Sequence, residues 1–110
     1  MKSNRLDQLL SFLEASPNDS FILFAIAKEF EKYQEYENAL EYYLKLKQAD
    51  ENYVGLYYHL GKLYEKKAAY QTALETYIKG IEVAKNAGDR HAQGELAEAK
   101  MILEEDFLEE

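Results

Sequence analysis

A stretch of this chain repeats itself after 34 residues, and few folds satisfy that constraint. Leu23, Ile26, Ala27 and Phe30, followed by Tyr36, Ala39, Leu40 and Tyr43, recur as Tyr57, Leu60, Gly61 and Tyr64, followed by Tyr70, Ala73, Leu74 and Tyr77. Identical positions at this shift include Lys28/Lys62, Glu31/Glu65, Lys32/Lys66, Tyr36/Tyr70, Ala39/Ala73, Leu40/Leu74, Glu41/Glu75, Tyr43/Tyr77 and Lys45/Lys79. Within each copy the apolar residues fall three and four apart, which is the spacing of one helix face. Two such faces joined by a short break form a helix–turn–helix unit. One unit cannot bury both faces alone, so tandem copies must stack.

Composition removes the competing classes. The chain has 110 residues, enough for one domain with a continuous core, and 47% of them are hydrophobic, too many for a wholly disordered polymer. One proline and five glycines leave little punctuation for a many-stranded sheet. With no cysteine there are no disulfides or thiolate metal sites, and a reducing compartment fits. No basic-flanked apolar leader and no apolar run of about 20 residues is present, so a cytoplasmic location is expected. A formal charge of −8 disfavours nucleic acid and anionic membranes as partners.

The helical period runs almost end to end. Residues 4–15 place Leu6, Leu9, Leu10 and Leu13 on one face. Asp19 or Ser20 is suited to cap the helix of residues 20–33, and the short Gln34-Glu35 break returns the chain antiparallel into residues 37–48, which carry Ala39, Leu40, Tyr43, Leu44 and Leu46. Residues 54–67 and 70–86 repeat the pair. Gly88 can take the left-handed conformation that ends a helix, and Asp89 can cap the last one, residues 90–107, with Ala92, Leu96, Ala99, Leu103 and Phe107 on its stripe. Small residues recur where the helices of a pair must touch: Ala27 and Gly61 in the first helix, Ala39 and Ala73 in the second. Leucine at position 61 is expected to force the helices apart. Alanine there is expected to be mild, because Ala27 serves at the equivalent place.

These positions resemble the tetratricopeptide repeat. The family pattern runs large residue, Leu-Gly, aromatic, Ala, aromatic, Pro. Residues 54–87 meet it with Tyr57, Leu60, Gly61, Tyr64, Ala73 and Tyr77, and residues 20–53 with Leu23, Ile26, Ala27, Phe30, Ala39 and Tyr43. The first slot is not Trp, and Glu51 and Lys85 stand in place of the closing Pro. A further shift back reaches Leu6, Leu10 and Pro17, so residues 4–18 look like a half-repeat. Gly94 and Glu98 break the pattern, so residues 89–108 look like a capping helix. The resemblance implies an all-α fold: a single domain over residues 1–110, built as a right-handed superhelical stack of antiparallel helix pairs.

It also implies a function. First helices of successive repeats line a concave groove in this family, and the matching residues are Phe21, Phe24, Lys28, Glu31 and Lys32, then Tyr58, His59, Lys62, Glu65 and Lys66. Phe21, Phe24, Lys28, Lys32, Tyr58, His59, Lys62 and Lys66 are therefore the candidate peptide-binding residues, with aromatic footholds and lysine donors suited to an acidic or C-terminal segment. Glu31 and Glu65 read as helix-supporting partners of Lys28 and Lys62. Some relatives grip a C-terminal carboxylate with Lys, Asn and Arg. Here Phe24, Tyr58 and His59 stand where polar donors are expected.

The reading that follows is a non-catalytic, cytoplasmic interaction module or adaptor, monomeric or weakly dimeric, with no cofactor. His59 and His91, 32 residues apart, suggest no metal site, and no nucleophile elbow or Gly-rich phosphate loop is present. The alternative is a structural unit that stacks copies through open repeat ends or the C-terminal helix. There Met101, Ile102, Phe107 and Leu108 either complete the cap on residues 70–86 or form a second apolar patch. Seven acids and one lysine lie at or after Glu95. That charge opposes the helix dipole and is expected to fray the last turn.

Overall fold

The computed structural model describes residues 4–108, all of whose regular structure is helical. Six α-helices follow one another: α1 Asn4–Ala15, α2 Ser20–Lys32, α3 Tyr36–Ala49, α4 Gly55–Lys66, α5 Tyr70–Ala87 and α6 Arg90–Leu103. A π-helical turn, Glu104–Leu108, closes the described chain. Two compact units divide between Tyr53 and Val54.

The first unit holds α1, α2 and α3. Short turns make successive helices antiparallel. Asp19 caps α2, its side chain accepting a hydrogen bond from the Ile22 amide at 3.0 Å. Leu6 and Leu9 of α1, Leu23, Ile26, Ala27 and Phe30 of α2, and Ala39, Tyr43 and Leu46 of α3 form the core. Leu10 and Leu13 are only half-buried. On α3 the apolar stripe chooses Leu46, which is fully buried, while Leu44 is exposed. Glu29 is buried too, and Arg5 of α1 lies 3.7 Å away to compensate its charge. Thirty-four residues on, where no such arginine is offered, the same place holds the fully buried Leu63.

The second unit holds α4, α5, α6 and the π-turn. Leu56, Tyr57, Leu60, Leu63, Ala73, Tyr77, Val83, Ala84, Leu96 and Leu103 form its core. Gly61 lies where α4 meets Tyr77: a Cβ there would sit 2.2 Å from Tyr77 Cε1. The expected mildness of Gly61→Ala is therefore corrected. Ala27 is accommodated in the first unit, but in the second the tyrosine ring has taken that volume. Gly80 is a second close approach, with a Cβ meeting Tyr57 Cβ at 2.4 Å and Leu96 Cδ1 at 3.1 Å. Its counterpart is Leu46, just as the counterpart of Tyr57 is Leu23. The first unit buries two leucines where the second buries a tyrosine and a glycine.

Helix ends repeat as faithfully as the core. Gln34 and Ala68 both take left-handed φ, 61° and 59°, and Gly88 takes 73°. In each case the next amide reaches back to the carbonyl five residues earlier: Glu35 to Phe30 (3.0 Å), Ala69 to Tyr64 (2.9 Å) and Asp89 to Ala84 (2.9 Å). These are Schellman caps. Asp89 then caps α6 by accepting from the Ala92 amide at 3.0 Å.

The C-terminal end differs from a simple frayed helix. The backbone changes to a π-turn, which lays the Phe107 ring on Tyr70 at 4.2 Å with 9° between planes. Phe107 thus caps α5 while half its surface stays exposed. Met101 and Ile102 are exposed and do not complete the core. Residues 109 and 110, included in the expected fraying, lie outside the described residues.

Candidate binding site

Each first helix presents its candidate residues within its own unit. On α2, Phe21 is 65% exposed. One turn on, Phe24 is half-buried against Tyr53 (5.3 Å between centroids) and Tyr43 (6.3 Å). Phe24 is thus tied into an aromatic cluster, and Phe21 is the open apolar foothold of this face. Lys28 and Lys32 are exposed along the same helix, with Lys32 Nζ 5.8 Å from the Tyr33 ring centroid.

On α4, Tyr58 and His59 are half-buried and meet edge to face at 5.7 Å and 89°. The Lys62 ammonium lies 6.0 Å from the Tyr58 ring centroid and 3.9 Å from the Glu65 carboxylate. Lys66 is exposed at the end of the helix. This unit also contains α6, which brings Glu95, Glu98, Ala99 and Ile102 to the Tyr58 face. Together with Tyr58, Lys62 and Glu65 they enclose a cleft of about 140 Å³. Lys62 therefore works amid carboxylates from two helices. The α6 residues are not legible in the repeat pattern, because they lie outside it and reach α4 only through the return of the chain after Gly88.

Glu31 and Glu65 have a role beyond supporting lysines. Each accepts a hydrogen bond from the hydroxyl of a fully buried tyrosine of the following helix, Tyr43 and Tyr77 respectively. The pairs are themselves repeats of one another at the 34-residue shift. Burial, then the hydrogen bond to the carboxylate and its negative charge, push both tyrosine hydroxyls far above their ordinary range. The tyrosines stay neutral donors, and the carboxylates are held in place on the first helices beside Lys28 and Lys62. Two identities at fixed spacing, Glu then Tyr twelve residues on, were the available signal for this link.

Among the described residues, no three or more His, Cys, Asp or Glu side chains gather to hold a metal ion. His91 stands exposed at the start of α6 with Arg90, Gly94, Glu95 and Glu98, around a shallow open cleft. These are the positions at which α4 carries its packing residues, so this face of α6 is polar where a further repeat would need apolar groups. No described helix is long and apolar enough to cross a membrane.

No family model matches the chain, and no curated protein does. Solved structures do. A solution structure of a tetratricopeptide repeat domain protein from Salinibacter ruber is 39% identical, with a TM-score of 0.80, covering 86% of this chain and 95% of that one. A crystal structure of a tetratricopeptide repeat domain protein from the same organism is 42% identical, with a TM-score of 0.77, covering 83% of this chain and all of that one. The Sgt2 TPR domain from Aspergillus fumigatus shares the fold at 24% identity, with a TM-score of 0.68 over 87% of this chain and 68% of that one.

Proposed function

This chain belongs to the tetratricopeptide repeat family of helical-repeat interaction modules, and on that premise we propose that it is a non-catalytic adaptor that binds a segment of a protein partner on the exposed faces of its first helices. The observation that carries the reading is Phe21. A phenylalanine 65% exposed on the first helix that also carries the exposed Lys28 and Lys32 is a poor choice for a purely solvated face. On α4, Tyr58 and His59 offer amphipathic rings, and Lys62 and Lys66 offer donors. Aromatic groups supply affinity through desolvation, and charged groups orient the ligand and speed its arrival. Lysines in an otherwise acidic chain favour an acidic segment, or one ending in a carboxylate. Lys62, set among Glu65, Glu95 and Glu98, is matched instead to a segment carrying both signs.

The test begins with affinity capture from a lysate and identification of the bound protein. Against that partner, Phe21→Ala and Tyr58→Ala are each expected to cost about 1–3 kcal/mol of binding free energy. Lys28→Glu with Lys62→Glu should lower the association rate, most at low salt. Glu41→Lys and Glu75→Lys, on the second helices, should change little. Binding lost through those two and retained by the first-helix variants would place the interaction elsewhere.

A further inference from the structure

We propose that the end of the second unit, where the π-turn folds back beside α5, is a separate docking surface for a basic amphipathic helix of a protein partner. Leu74 of α5, Met101 of α6 and Leu108 of the π-turn line an open cleft of about 560 Å³, bordered by Gln71, Glu104 and Glu105. The cleft is open and large enough to take more than one leucine- or phenylalanine-sized anchor. Half of the Met101 side chain faces solvent, as does half of Ile78, one helical turn beyond Leu74. Methionine adapts its shape to varied apolar partners. The turn that builds this wall is held from behind by the Phe107–Tyr70 stack, so the cleft is preformed.

Charge selects the occupant. Seven of the chain's 21 acidic residues and only one of its 13 Lys and Arg lie at or after Glu95. That one base, Lys100, is already engaged by both carboxylate oxygens of Glu104 at 3.3 Å. The surface is therefore apolar at its centre and acidic at its border, with Glu104, Glu105 and Asp106 in the turn itself. A helix with apolar anchors on one face and Lys or Arg flanking them complements both features. A second copy of this chain does not, because pairing two such ends brings like charges together across the apolar contact. The cleft shares no lining residue with the first-helix site of the proposed function and does not depend on it.

The experiment uses the full chain and a synthetic peptide with leucine along one helical face and lysine along the other. A scrambled isomer of identical composition and a glutamate-for-lysine version serve as comparators. Fluorescence anisotropy should show micromolar binding of the first peptide only, and amide shift changes should centre on Leu74, Met101 and Leu108. Met101→Glu, a change at an exposed position, should weaken binding roughly tenfold or more while leaving the melting temperature unchanged. Glu105→Lys should weaken binding and flatten its salt dependence. Tyr58→Ala should leave it intact, so failure here and failure of the first-helix site are told apart. No binding, equal binding of the scrambled isomer, or shift changes confined to α2 and α4 would each overturn the proposal. So would self-association of the free protein that Met101→Glu abolishes, because the occupant would then be a second copy.

Discussion

A methyl group added to Gly61 would fall 2.2 Å from Cε1 and 2.7 Å from Cζ of Tyr77, a ring that is fully buried and tethered through its hydroxyl to Glu65. A flexible side-chain end could swing aside, but this ring is held at both ends. Gly61→Ala should therefore lose about 1–3 kcal/mol in urea denaturation, and Gly61→Leu more. Gly94 is the opposite case. It is exposed inside α6 with open space where a Cβ would go. Gly94→Ala should gain about 0.5–1 kcal/mol by restricting the unfolded chain, read as a raised melting temperature. The tyrosine hydroxyls give a third measurement at this scale. Tyr77→Phe removes a donor from the Glu65 carboxylate, and Tyr43→Phe does the same to Glu31. Each should cost about 1.5–3 kcal/mol, the range for hydrogen bonds to charged groups, whereas Tyr33→Phe at an exposed position should cost close to nothing.

Helix ends show which local signals a sequence carries and which it conceals. The stop after α5 was legible because Gly88 takes left-handed φ without a Cβ penalty and Asp89 follows as a cap. The equivalent stops after α2 and α4 use Gln34 and Ala68, neither of which announces that conformation. The return of the chain imposes it, and the backbone hydrogen bonds of the Schellman caps stabilise it. Ala68→Gly should relieve that strain and raise stability by up to about 1 kcal/mol, while Gly88→Ala should lower it by a similar amount. Both are checked by the same denaturation midpoint. The leading helix offers a test at the element scale. Leu6 and Leu9 are buried in the first unit, and Arg5 compensates the buried Glu29. Removing residues 1–16 should expose the α2 side chains they cover and leave Glu29 without that cation. Light scattering should then show aggregation, and a truncated chain that stays monomeric and equally stable would reduce α1 to an appendage.

For the molecule as a whole, pH offers a readout that reports on both units together. Tyr43 and Tyr77 have hydroxyls raised far above 10.0, the ordinary tyrosine value, by burial first and by their carboxylate partners second; Tyr53 and Tyr64 are raised as well, chiefly by burial. A raised value in the fold means that the unfolded chain loses these protons first. Their contribution to stability is complete below pH 10 and declines as pH rises above it, because ionisation then favours the unfolded state. Urea midpoints should accordingly be steady from neutrality to about pH 9 and fall beyond it, with a smaller fall in Tyr43→Phe and Tyr77→Phe. A midpoint independent of pH in that range would mean that these hydroxyls reach solvent. The amino-acid sequence by itself determined the six α-helices and the pairing within the two repeats, though not the π-turn, because the helical period and the 34-residue repeat are one-dimensional properties that every copy must respect. It also determined that Phe24, Lys28, Glu31 and Lys32 share one face of their helix, as Tyr58, Lys62, Glu65 and Lys66 do of theirs, since that follows from spacing alone. Tertiary structure decided the rest. Whether a small residue tolerates a methyl depends on how closely the ring opposite approaches, as Tyr77 does at Gly61. Whether a lysine acts as an open donor depends on which helix returns beside it, as α6 does beside Lys62. Close packing and charge neighbourhood are properties of residues far apart in the chain, and no local pattern encodes them.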